Sequence, residues 1–131
     1  MAERDEHLIR QARARTIVER AAEELKEIIH EAALALEPFP PFPGAFFTNA
    51  LEAEPGAAAS PERGCVVVCA DGELREFQMG MDFSGPTPDP ALARRETLKP
   101  LTLSAQDYVV YAFNAIEAMT RAVDERRKKE R

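Results

Sequence analysis

Apolar side chains recur at three- and four-residue intervals along the first third of the chain: Ile17, Val18, Ala21, Leu25, Ile28, Ile29, Ala32 and Leu36 make one helical stripe. The stretch from about residue 3 to 36 has neither glycine nor proline and is rich in strong helix formers, so it predicts one long amphipathic helix. Its first turns offer only Leu8 and Ile9 to a core, and they are expected to fray or project. Pro38 ends the helix, because it has no amide hydrogen and its ring clashes with the preceding turn.

From 38 to 47 the pattern changes. Pro38, Pro40, Pro41 and Pro43 forbid both helix and central strand, so this segment runs extended or in turns. It also holds Phe39, Phe42, Phe46 and Phe47, four of the seven phenylalanines. Weak alternation over Phe46 to Glu54 suggests a short strand, and Pro55 to Arg63 reads as a loop.

The clearest local signal is a pair of runs, Cys65 to Ala70 and Glu73 to Met79, joined by Asp71-Gly72. That dipeptide favours a two-residue type I′ turn and so a β-hairpin over about 65–79. Such a turn would pair Cys69 with Leu74, Val67 with Glu76 and Cys65 with Gln78. Both faces of this hairpin carry apolar residues, which calls for a cover on each: helices on one side, a loop or a second subunit on the other.

Residues 82–103 read as a long loop with prolines between Gly85 and Pro90, followed by a helical turn within Ala91 to Glu96. Ser104 then caps a second long helix over about 105–129, with Asp107 near its positive end. Its expected apolar stripe is Val109, Ala112, Phe113, Ile116, Met119 and Val123. The elements together predict a single α+β domain over 1–131. Two long terminal helices pack on a small antiparallel sheet, a hairpin with room for a third strand, in the order α-β-β-β-α.

Composition sharpens this picture. The chain has 131 residues, enough for one core, with 45% hydrophobic and 31% charged residues, a globular balance. Its net charge of -6 repels nucleic acid and anionic lipid on average, so a nucleic-acid partner is not expected. The basic run Arg126, Arg127, Lys128, Lys129 and Arg131 is a local exception that suits a helix C-terminus. No apolar run is long enough to span a membrane, and no leader is apparent after Met1, so a cytoplasmic protein is expected.

The candidate chemistry is sparse. Cys65 and Cys69 lie four apart on one strand, roughly 13 Å between α-carbons, too far to bridge each other and surrounded by valines rather than an activating base. Glu27 and His30 have the Glu-x-x-His spacing of carboxylate-bridged di-iron sites, but helical geometry turns both away from the apolar stripe, and no metal, cofactor or catalytic residue is assigned. Arg75, Tyr108 and Tyr111 are the candidates for a small ligand site between hairpin and helices. Phe39, Phe42, Phe46 and Phe47 are the candidates for partner binding, since proline stiffening lowers the entropy lost on docking.

The order helix, three short strands, helix resembles that of small acidic secretion chaperones and similar partner-binding adaptors, which tend to dimerise through a helix or a sheet. The likeness is one of element order without a shared motif. The sequence thus leads to a non-catalytic interaction or assembly domain, homodimeric and binding a protein partner. The second reading is a small ligand-binding or catalytic domain.

Overall fold

A computed structural model describes residues 2–81 and 94–130. The first helix, α1 (Ala2–Ala35), extends over 34 residues, about 51 Å at 1.5 Å per residue. Its first buried residue is Ala22 and everything from 2 to 17 is exposed, so the turns expected to project do so. Ile29, Ala33 and Leu36 then enter the core. The second helix, α2 (Ala105–Lys129), starts at Ser104, whose hydroxyl accepts from the Asp107 amide, the expected cap.

The two helices run in the same direction. Ala105 lies beside Glu19 and Ala22, the Lys26 ammonium sits 5.6 Å from the Tyr108 ring, and Arg126 reaches the Pro38 carbonyl. The buried face of α2 is Tyr111, Ala112, Ala115, Ala118 and Met119, while Phe113 from the expected stripe points outward. Alanine, not the larger aliphatics, sets this face.

Between the helices in chain order comes a four-stranded antiparallel sheet in the order β1-β2-β3-β4, and both helices lie on one of its faces. The strands are β1 (Ala50–Glu52), β2 (Cys65–Cys69), β3 (Leu74–Met81) and β4 (Arg94–Pro100). The α+β class and the terminal helices are as the sequence implies, with one strand more. That strand, β4, falls in the segment read as a loop, and Arg94 to Glu96, assigned there to a helical turn, are extended. The proline loop from Gly85 to Pro90 and the rest of that turn lie outside the described residues.

The hairpin register also differs from the sequence expectation. Val68 pairs with Leu74, Val67 with Arg75, Val66 with Glu76 and Cys65 with Phe77. The Gly72 amide donates to the Cys69 carbonyl at 2.8 Å and the Cys69 amide to the Glu73 carbonyl at 3.0 Å, a three-residue loop in place of the type I′ turn. Gly72 at φ +82 supplies the left-handed residue that such a loop ends on. The slip of one residue sorts the faces: Val66, Val68 and Leu74 turn to the helices, Cys69, Val67 and Phe77 to the other side. Phe42 and Ala45 of the proline segment cover that other side, with the Phe42 and Phe77 rings 4.8 Å apart. The sheet's second cover is therefore a loop of the same chain.

Candidate functional site

β3 outruns β2. Its first half, Leu74 to Phe77, is held by β2, but among the described residues Gln78 to Met81 pair only with β4, as Gln78 with Thr97, Met79 with Glu96, Gly80 with Arg95 and Met81 with Arg94. Side chains alternate across a strand, so this ribbon has two unlike faces. Gln78, Gly80, Arg95, Thr97 and Lys99 share one; Met79, Met81, Leu98, Arg94 and Glu96 share the other. The apolar members of the second face are open to solvent, with Met79 48%, Met81 46% and Leu98 39% exposed.

The turn at the end of the proline segment adds Phe46 and Phe47, 60% and 75% exposed and packed edge to face with centroids 6.2 Å apart. One carboxylate holds them there. Glu96 accepts from the Phe46 amide at 2.7 Å, the Phe47 amide at 3.0 Å and the Thr48 hydroxyl at 2.7 Å. Arg94 completes the clasp, its guanidinium 4.1 Å from the Phe46 ring centroid while it donates to the Gly44 carbonyl. Desolvation pushes the Glu96 carboxyl up, but the Thr48 hydroxyl, the two amides and Arg94 outweigh it, and its pKa falls below the ordinary 4.5. The exposed rings are thus fixed in place rather than loose on a tail.

The four phenylalanines expected to bind a partner divide into two pairs. Phe39 is buried among the helices and Phe42 closes the sheet over Phe77, while Phe46 and Phe47 alone face outward. The ligand candidates do not converge. Arg75 lies on the sheet face away from the helices, paired with Asp71 through contacts of 2.7 and 3.0 Å. Tyr111 is buried, its hydroxyl 3.4 Å from the Arg63 guanidinium, which also meets Asp107. Tyr108 borders an open cleft of about 380 Å³ with Glu19, Glu23, Lys26 and Glu73. Burial, reinforced by Glu73 and Glu23, raises its phenol to about 12. Neither Arg75 nor Tyr111 lines this cleft.

Both cysteines are free, and burial pushes each thiol up, away from the thiolate that nucleophilic or metal chemistry requires. Glu27 and His30 are exposed on α1. Among the described residues no cluster of His, Cys, Asp and Glu is arranged to hold a metal, and no helix is long and apolar enough to cross a membrane. Compared with protein-family models, curated proteins and solved structures, the chain matches none.

Sequence reasoning missed Met79, Met81, Leu98 and Glu96. The period-two spacing of Phe77, Met79 and Met81 was visible and marks one strand face. β4 carries no such signal, since Leu98 is the only large apolar residue in Arg94-Arg95-Glu96-Thr97-Leu98-Lys99-Pro100.

Proposed function

We propose that this chain is a non-catalytic protein-interaction domain of the cytoplasm. Its docking surface is the apolar side of the β3–β4 ribbon with Phe46 and Phe47. The observation that carries the reading is a fixed, exposed apolar face of five side chains, Phe46, Phe47, Met79, Met81 and Leu98, backed by a polar one. Large apolar groups gathered on one face of a folded domain lose free energy when a partner covers them. The Glu96 clasp adds to this, because rings already held in place lose little entropy on binding. The homodimer belongs to the same reading, with its contact on the projecting part of α1.

The test is photocrosslinking from single sites in cells of the protein's own source. Benzoylphenylalanine replaces Phe47, Met81 or, as a control, Leu34, which is 74% exposed on α1. The expected result is one discrete crosslinked polypeptide from positions 47 and 81 and none from 34. Equal labelling from all three positions, or none from any, overturns the reading.

A further inference from the structure

The methionines of this chain are unevenly placed. Of the four, Met79 and Met81 are exposed on the docking face, Met119 is buried in the core under the helices, and Met1 lies outside the described residues. A thioether is apolar and deformable, which suits a docking face. It is also the group on that face which a mild oxidant turns polar, since a sulfoxide carries a strong hydrogen-bond acceptor. The two sulfurs sit two residues apart on one side of β3, so both oxidations fall on the same surface.

Their neighbours make the consequence specific. Met81 lies directly across the ladder from Arg94 and Met79 directly across from Glu96, so each shares a face with one half of the clasp on Phe46 and Phe47. Side chains directly opposite have β-carbons about 5 Å apart, within reach of groups as long as these. Arg94 is held by two uncharged partners, the Phe46 ring and the Gly44 carbonyl. The partial negative charge of a sulfoxide oxygen on Met81 competes for that guanidinium. The same oxygen on Met79 faces the Glu96 carboxylate and repels it.

We propose that Met79 and Met81 are a paired oxidation site, at which a peroxide reversibly switches the docking face from apolar and fixed to polar and loose. In each step a sulfur lone pair attacks one peroxide oxygen, and the S–O bond forms as the O–O bond breaks. The departing hydroxide takes the proton from the transferred hydroxyl and leaves as water. The sulfur loses two electrons and the peroxide gains them. Thiol-dependent sulfoxide reductases restore the thioether, two thiols becoming a disulfide as water is released. The oxidation and its effect on the clasp follow from the ribbon alone, while the effect on a partner rests on the interaction reading above.

The experiment treats the full chain with hydrogen peroxide and follows each methionine by peptide mass mapping, while the Phe46 and Phe47 amide resonances are recorded. Met79 and Met81 are expected to oxidise about tenfold faster than the buried Met119. Both amides should move as they do so, and return after treatment with the reductases for the two sulfoxide epimers. The double variant Met79→Leu, Met81→Leu should show no such movement. Oxidation of Met119 at the same rate overturns the inference, as do amides that ignore the oxidation. Amides that still move in the double variant also overturn it, and place the effect at Cys65 or Cys69. For docking, the chain carrying benzoylphenylalanine at position 47 is oxidised, freed of peroxide and irradiated in an extract of its source. Its crosslink is expected to fall about tenfold, since two polar groups now meet an apolar partner, and to recover after reduction. A crosslink undiminished by oxidation overturns the switch and leaves the interaction reading standing. If no crosslink forms before oxidation, the interaction reading fails, and the mass map and the amides alone decide the oxidation site.

Discussion

At Gly72 the backbone adopts φ +82, and a β-carbon there would lie 2.8 Å from His30 Nδ1 and 2.9 Å from the His30 α-carbon. The first contact can be relieved by turning the imidazole, but the second is with the α1 backbone and cannot. Two independent costs therefore meet at one residue: a left-handed conformation that L side chains resist, and a helix packed against the turn. Gly72→Ala is expected to destabilise the fold by about 2 kcal/mol, read as a lower midpoint in urea unfolding. A variant with an unchanged midpoint would show that the turn rearranges freely, and with it that α1 is not seated against the hairpin. The same dipeptide shows how far residue-level reading reaches. Asp71-Gly72 identifies a hairpin, but two- and three-residue loops both welcome it. What separates them is burial: the longer loop puts Val68 opposite Leu74 under the helices and Cys65 opposite Phe77 under Phe42.

At the level of elements, the helices and the hairpin were legible because each announces itself by periodicity. β4 was not, because an edge strand with three cations shows neither alternation nor a strong strand propensity, and its existence depends on the unpaired outer half of β3. The docking face follows the same division. Phe46 and Phe47 could be singled out by their crowding, but nothing in the sequence ties them to Glu96, about fifty residues away, or distinguishes them from the inward-turned Phe39 and Phe42. That tie makes a prediction about pH. The Glu96 pKa is lower folded than its ordinary 4.5, so the carboxylate stabilises the clasp fully above that value and its contribution fades as pH falls through the folded pKa. Between neutrality and pH 5 the Phe46 and Phe47 amide resonances should hold still; below about 4.5 they should shift toward the positions of a Glu96→Gln variant. Amides that are indifferent to acid, or already displaced at neutral pH, would show that Glu96 does not hold the turn.

The whole molecule is lopsided: α2 accompanies only the later part of α1, and residues 2 to 17 extend past the core with every side chain exposed. Most helical stability in proteins comes from packing an apolar face, which this end lacks, and the Glu6–Arg10 pair at 3.7 Å is one of its internal supports. Its charges are uneven, with Glu3, Asp5 and Glu6 around Arg4 at one end and Arg10, Arg13 and Arg15 beyond. Set antiparallel about Leu8 and Ile9, two copies lay the net-acidic end of each helix along the net-basic stretch of the other, with Leu8, Ile9, Ala12 and Asp5 on the contact face and Glu3 and Arg10 turned away from it. This is the contact on which the proposed homodimer rests. It favours an identical chain, since an antiparallel pair turns an asymmetric charge pattern into a complementary one. Sedimentation at rising protein concentration should show a dimer at low salt that dissociates at high salt. Reversing Arg10, Arg13 and Arg15 to glutamate should abolish it, and mixing that chain with one bearing lysine at positions 3, 5 and 6 should restore a heterodimer. A dimer untouched by these reversals must use another surface. A monomer at low salt removes the homodimer altogether while leaving the ribbon free to bind its partner alone.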